Sequence, residues 1–375
     1  MSNKYKVVTI LGTRPEIIRL SETIKACDQY FEHILVHTGQ NYDYELNQIF
    51  FEDLNLRAPD YYLESAGKDL GETIGNVIAK SYKLLSDLKP DALLILGDTN
   101  SALAAISAKR LKIPVFHMEA GNRCWDWNVP EMVNRTIVDH IADINLPYTE
   151  NSRRYLLSEG IDGKTIFVTG SPMNEVITKN IDRIKNSDVL RRLNLEKGKY
   201  IIVSAHREEN IDIEENFIEL VNSINEIAKK YGVPVIYSTH PRTRKFIEKR
   251  KIEFYSLVQN VKPLGFLDYV KLQANALLVL SDSGTLTEES AILGFPGVLI
   301  RTSTERPEGL DAGTIVVGGI KSRDVLASCE LAIKIVSDRP VSSLPHDYGT
   351  IDVSTKVVKI IQSYVHIVNK TTWLK

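Results

Sequence analysis

Short β-branched apolar runs alternate with longer amphipathic stretches along this chain, the pattern of βαβ units on a parallel sheet whose strands are buried on both faces. In the first half the pattern predicts strands at 6–11, 33–38, 92–96, 114–118, 143–147 and 165–168, with helices at 16–28, 70–88, 101–111, 132–141 and 152–159. After Gly170-Ser171-Pro172 a charge-rich helical stretch runs to about Lys199, and the rhythm restarts with strands expected at 200–204, 234–238, 276–280, 297–300 and 314–317. A final amphipathic run at 353–368 reads as a helix. The expected fold class is therefore α/β, with two Rossmann-like doubly wound domains at 1–172 and 190–352 and the helix at 353–370 packing back on the first. In such folds ligands bind outside the carboxyl ends of the strands, here in a cleft between the domains.

Composition leaves this picture standing. With 375 residues, 43% hydrophobic and 25% charged, the chain has the make-up of a globular protein of two domains. A formal net charge of −2 argues against nucleic acid as a partner but leaves small anions open. Cys27, Cys124 and Cys329 are scattered and odd in number, so neither a disulfide framework nor a CxxC metal site follows, and a reducing compartment fits. The opening apolar run is too short for a signal peptide, and nothing approaches the roughly 20 residues of a membrane helix. A cytoplasmic location without membrane partners is the expectation.

Chemistry concentrates where strands end. Arg14 follows the first strand, with Pro15 at a favoured first helical position, so its guanidinium is either an anion fork over the cleft or a surface partner of Glu16. Arg19, farther along the same helix, is equally open to both readings. Asp98 and Glu119 each follow an apolar strand and should lie side by side at the sheet edge, where neighbouring carboxylates can trade protons. Asp98 alone reads equally as a helix N-cap, and Glu131 as a cap or ion pair. His206 is a phosphate or sugar contact or a buried histidine; His240 has a similar setting. Asp282-Ser283-Gly284-Thr285 is a small-residue turn that opens a helix, a candidate phosphate cradle, with a capping-box spacing from Thr285 to Glu288. Glu289 would then reach ribose hydroxyls or merely favour the helix start. No metal-ligand spacing, G-x-G-x-x-G or G-x-S-x-G motif is present, so neither a metal nor NAD is expected as cofactor and no serine nucleophile stands out.

Taken in order, Gly12-Thr13-Arg14-Pro15-Glu16, Gly97-Asp98-Thr99, His117-Met118-Glu119-Ala120-Gly121, Pro130-Glu131 with Asn134-Arg135, His206-Arg207-Glu208-Glu209-Asn210, Ser281-Asp282-Ser283-Gly284 and Thr304-Glu305-Arg306-Pro307-Glu308 resemble the non-hydrolysing UDP-N-acetylglucosamine 2-epimerases. The resemblance implies a glycosyltransferase-B-like fold, a homodimer, no metal or redox cofactor, and a UDP-amino sugar as substrate. It also implies C2 epimerisation by anti elimination of UDP and re-addition through a 2-acetamido-glycal. The family's acid–base carboxylates fall on Asp98, Glu119 and Glu131. Its diphosphate contacts fall on Arg14, His206, Ser283 and Gly284, with His206 also counted among the catalytic residues, and its ribose contact on Glu289. Arg19, Asn122, Arg123, Arg135, His240, Phe266, Thr285 and Arg306 complete the expected substrate-binding set.

Three segments depart from the family pattern. The loop Asn122-Arg123-Cys124-Trp125-Asp126-Trp127-Asn128-Val129 is shortened and aromatic, and looks like the subgroup in capsule and O-antigen pathways that converts UDP-2-acetamido-2,6-dideoxy-L-talose to UDP-N-acetyl-L-fucosamine. Trp125 and Trp127 would offer apolar surface to a 6-deoxy methyl group, or pack within the loop. Gln40-Asn41-Tyr42 replaces the Gln-His of a substrate-activation site, and Thr285 replaces a glycine. Competing readings are interconversion of UDP-N-acetylglucosamine with its manno epimer and, from another class, a glycosyltransferase or a non-catalytic nucleotide-sugar binder.

Overall fold

The computed structural model describes residues 4–39, 47–127, 129–239, 241–338 and 344–375. The chain divides into two compact units, Met1–Lys179 with His346–Lys375, and Asn180–Pro345.

In the first unit β1 (Lys6–Leu11), β2 (Glu32–His37), β3 (Tyr61–Tyr62), β4 (Ala92–Leu96), β5 (Val115–Met118) and β6 (Ile144–Leu146) form one parallel sheet in the order β3-β2-β1-β4-β5-β6. The strands are short because each contributes only enough residues to cross the core. Val8, Ile10, Leu93, Ile95 and Val115 pack into one apolar cluster, while Val7, Leu11, Leu94, Leu96 and Phe116, which alternate with them, are also buried. Both faces are therefore covered, as a parallel sheet requires. The helix Val353–Thr371 belongs to this unit and packs against the helix Arg14–Tyr30.

The second unit repeats the plan. β7 (Ile201–Ser204), β8 (Val235–Ser238), β9 (Val258–Val261), β10 (Leu278–Ser281), β11 (Gly297–Leu299) and β12 (Val316–Val317) run parallel in the order β12-β11-β10-β7-β8-β9. Alternate residues of these strands divide between two apolar clusters, Ile201, Val203, Leu278 and Leu280 in one and Ile202, Val279 and Leu299 in the other.

The expected strand at 165–168 is not a strand. A 3₁₀ turn at Gly163–Thr165 leads into a single parallel bridge between Asn145 and Ile166, because β6 has only three residues to pair. Two edge strands, β3 and β9, stand where no strand was expected; Tyr61 and Tyr62 are exposed, and Val-Gln-Asn-Val lacks an apolar run. The order of strands reverses between β1 and β4 in one sheet and between β7 and β10 in the other. A ligand crevice belongs at such a switch point.

Candidate active site

At the first switch point β1 runs into Gly12-Thr13 and the helix Arg14–Tyr30. Glu16, almost fully buried, folds back to accept the backbone N–H groups of Gly12 (3.0 Å) and Thr13 (2.8 Å) and the Thr13 hydroxyl (2.8 Å), and it also accepts from Ser101. Burial raises its carboxyl above the usual range despite these hydrogen bonds. Glu16 is thus committed to the turn, and the half-buried Arg14 places its guanidinium 5.8 Å over the ring of Phe50.

Across the switch point, β4 and β5 end in register, Leu96 beside Met118, so the residues that follow emerge as neighbours. Gly97 (φ +72°) turns the chain into Asp98, and Glu119 itself adopts φ +60°. One cation serves both carboxylates. Arg135, 2% exposed and carried by the helix Pro130–Ile141, ion-pairs with Asp98 Oδ2 through Nη2, which also lies 3.4 Å from Glu119 Oε1, while Nη1 donates to the Glu119 carbonyl. Arg19 ion-pairs with the other oxygen, Glu119 Oε2. Asn134 donates to the Asp98 carbonyl at 2.9 Å, and Asn122 Nδ2 lies 3.4 Å from Glu119 Oε1.

Glu131 is not drawn into this pair. It occupies the first turn of the same helix, half-buried, one turn before Arg135 and therefore on the same stripe. Nor does Arg123 reach the rim. Its guanidinium donates to Glu159 (2.8 and 2.7 Å) and to the Asn122 carbonyl (2.9 Å) and lies 2.7 Å from Asp139, so its donors are committed inside the unit and raise its pKa against the pull of burial.

At the second switch point Asp282, fully buried, organises the turn after β7. Its Oδ2 accepts the backbone N–H groups of His206 and Arg207 (both 2.8 Å) and Asn210 Nδ2 (3.1 Å), and Oδ1 lies 3.6 Å from His206 Nδ1. The His206 ring is one-third exposed. Beside it, Ser283-Gly284 opens the helix Thr285–Leu293, whose first N–H groups have no partner within the helix. The expected capping box does not form. Gly284 is the cap, Thr285 is already helical with its hydroxyl 2.9 Å from that of Ser283, and Glu288 instead accepts from Arg306 Nε (3.1 Å). Thr285 still stands at the turn, as a hydroxyl rather than a cap. A Cβ on Gly284 would lie 2.3 Å from Arg306 Nη1, so glycine is what allows that guanidinium to approach.

Glu289 is 7% exposed and held by Gln273 Nε2 at 2.6 Å. Phe266, 3% exposed, begins the helix Phe266–Asn275 that carries Gln273. His240, like Gln40-Asn41-Tyr42, lies outside the described residues. Among the described residues no group of three or more His, Cys, Asp and Glu side chains could hold a metal ion, and no helix is long and apolar enough to cross a membrane.

Sequence reasoning did not single out Asp139 or Gln273 as partners of the site, and it named Asp282 only within the small-residue turn. Asp139 could have been found on the helix stripe it shares with Glu131 and Arg135; Gln273 carries no local signal at all.

Comparison with known proteins gives these features a family. The model of the UDP-N-acetylglucosamine 2-epimerase family matches residues 25–362. The UDP-N-acetylglucosamine 2-epimerase of Methanococcus maripaludis is 37% identical, over 88% of this chain and 92% of its own. The solved structure of UDP-N-acetylglucosamine 2-epimerase from Rickettsia bellii is similar with a TM-score of 0.91 and 45% identity, covering 99% of this chain and 100% of that one. The Methanocaldococcus jannaschii UDP-GlcNAc 2-epimerase, solved in complex with UDP-GlcNAc and UDP, gives a TM-score of 0.90 at 34% identity, covering 96% and 99%. The chain belongs to the UDP-N-acetylglucosamine 2-epimerase family and is a UDP-sugar 2-epimerase, an isomerase with the two-domain glycosyltransferase-B-like fold.

Proposed function

We propose that the substrate is UDP-2-acetamido-2,6-dideoxy-L-talose and the product UDP-N-acetyl-L-fucosamine, made for a capsule or O-antigen polysaccharide. The observation that carries this reading is the loop after Glu119. Trp125 and Trp127 stand 58% and 63% exposed within eight residues of that carboxylate, an unusual amount of aromatic surface for a rim that otherwise presents ions. Trp125 is held at φ +58° with its ring edge-on to Tyr155, centroids 5.5 Å apart. Such a surface suits a methyl group at C6 better than a hydroxymethyl, which needs a hydrogen-bond partner.

The family resemblance implies the course of the reaction. A carboxylate of the Asp98, Glu119 and Glu131 set takes the C2 proton while the C1–O bond breaks, its electron pair leaving with UDP and a C1–C2 double bond forming. UDP then returns to C1 as a carboxylic acid delivers a proton to the other face of C2. Arg19 and Arg135 hold the Asp98 and Glu119 carboxylates in place for the first step. Arg14, His206, Ser283 and Gly284 hold the departing diphosphate and stabilise the charge it gains, with Thr285 and Arg306 beside them. Glu289 takes the ribose, Phe266 lies on the nucleotide side and Asn122 faces the sugar. Oxidant and reductant are not required, since the elimination and the re-addition balance. A homodimer working in the cytoplasm completes the proposal.

Conversion of UDP-N-acetylglucosamine to the manno epimer is the competing reading, favoured by the names of the relatives. Incubation with each UDP-sugar in deuterium oxide, followed by NMR at C2, separates the two. Exchange and epimer formation on the 6-deoxy-L-talo sugar, at a kcat/KM at least tenfold above that for UDP-N-acetylglucosamine, is expected; exchange on UDP-N-acetylglucosamine alone overturns the proposal. Replacing Trp127 by alanine should narrow the preference, because a buried methyl is worth roughly 1 kcal/mol.

A further inference from the structure

The turn that carries Glu119 is held against the backbone's own preference. Glu119 adopts φ +60° and Gly121 φ +80°. For an L residue such as Glu119 the left-handed region is disfavoured, and such an outlier persists only where its surroundings over-determine it.

The surroundings here centre on Asp139. Its side chain has no exposure and sits on the helix Pro130–Ile141, one turn beyond Arg135 and two beyond Glu131. It accepts the Gly121 N–H at 3.3 Å on Oδ1 and 3.1 Å on Oδ2. Arg123 Nη1 lies 2.7 Å from Oδ2, and His117 Nδ1 lies 2.9 Å from Oδ1. His117 is the third residue of β5, two before Glu119, and is equally buried. Its opposite nitrogen, Nε2, donates to the carbonyl of Gly97 at 2.7 Å, in the residue immediately before Asp98. One carboxylate and one ring therefore tie a single helix to both turns that present the paired carboxylates.

Geometry of this kind points to a task. A buried ion pair is a weak source of stability, because its desolvation offsets most of its attraction, but its hydrogen bonds fix positions well. Burial would raise the Asp139 carboxyl, yet His117, Arg123 and Arg135 together bring it below the usual range, so the acceptor stays charged. Neither side chain can touch a substrate, being sealed from solvent.

We infer that Asp139 and His117 are a positioning dyad which sets the Glu119 and Asp98 turns at the spacing that C2 proton transfer requires. The inference rests on the reading of those two carboxylates as the acid–base pair. The test uses the full chain with Asp139→Asn, which keeps an acceptor for Gly121 but removes the charge facing His117 and Arg123. A displacement of about 1 Å at reacting groups lowers a rate about 100-fold. Steady-state kcat and deuterium incorporation at C2 should both fall by about that factor, while the Kd for UDP, measured by calorimetry, stays within twofold. His117→Gln should show the same split, and the double variant should lose no more than the worse single one, as two members of one device do. Wild-type kcat in either folded variant overturns the inference, as does loss of UDP affinity in parallel with kcat, or strict additivity. If Asp139→Asn does not fold, the His117→Gln result decides by itself. Glu119→Gln separates the two levels: if it still exchanges the C2 proton, the acid–base reading has failed, whereas an inert Glu119→Gln beside a fully active Asp139→Asn removes only the dyad.

Discussion

Replacing Gly121 by alanine measures how firmly the turn after Glu119 is pinned, and the cost can be worked out from two contributions. The first is backbone: at φ +80° a side chain costs roughly 1–2 kcal/mol. The second is space. A Cβ would stand 2.5 Å from the Ser152 carbonyl oxygen and 2.8 Å from Leu156 Cγ, and Ser152 belongs to the main chain of the helix Glu150–Ser158, whose Leu156 packs with Ala120 and Ile166. That contact cannot be relieved by swinging a flexible side chain; the helix must move, and overpacking of this kind costs roughly 1–3 kcal/mol. The sum, about 2–5 kcal/mol, lowers the unfolding midpoint by about 5–15 °C for a unit of this size. Gly97→Ala supplies the control. Its φ is +72°, but nothing lies within 4 Å of the added carbon, so it should lose only the backbone share. Thermal and urea unfolding of the two variants in parallel isolate the steric share as their difference. Activity measured well below the midpoint should fall for Gly121→Ala, because the Gly121 N–H moves with its turn away from Asp139. Equal midpoints for the two variants would refute the reasoning, since they would mean that the helix yields at no cost.

Three further outcomes are expected. Gln273→Leu removes the donor 2.6 Å from Glu289 Oε2, and with a hydrogen bond to a charged group worth about 1.5–3 kcal/mol, KM for the UDP-sugar should rise about tenfold or more while kcat stays within twofold. His37, 1% exposed, is pushed down to about 4 by burial and accepts the Gly39 N–H on Nδ1, so the folded chain resists its protonation. Its contribution, about 3 kcal/mol for the gap between 6.5 and about 4, is present above pH 6.5 and lost as pH falls to 4; in urea titrations at pH 7 and pH 4.5 His37→Asn should lose less stability on acidification than the parent. Burial pushes the Cys27 thiol far above its ordinary value and Cys329 up to about 12, so the native protein should react with one equivalent of a maleimide, at the half-buried Cys124, and Cys124→Ser should abolish the fast phase.

The alternation of apolar runs and amphipathic stretches located the central strands to within a residue or two, because those strands must cross a core covered on both faces and little but β-branched or aliphatic residues can do so. It missed β3 and β9, where two exposed tyrosines and Val-Gln-Asn-Val pair along a sheet edge and need no apolar signature. The same asymmetry governs the rim. A polar cluster after an apolar run tells where the main chain turns, so Arg14, Asp98, Glu119, His206 and Ser283 could each be placed at a strand end from the sequence. Which groups share a partner cannot be read that way. Glu288 lies at a capping-box interval from Thr285 yet pairs with Arg306, eighteen residues on, and Arg123 follows Glu119 in the loop yet is bound to Glu159 and Asp139. For a carboxylate the partner decides the setting: Asp98 and Glu119 ion-pair with arginines, whereas Glu16 faces hydroxyls and backbone N–H groups and is raised by burial. What sequence could have suggested is the stripe Glu131, Arg135, Asp139, since residues four apart share a helix face. That stripe binds the turns of two neighbouring strands to one helix, which is why a substitution at its far end, out of reach of any substrate, is the sharpest probe of the carboxylates at the rim.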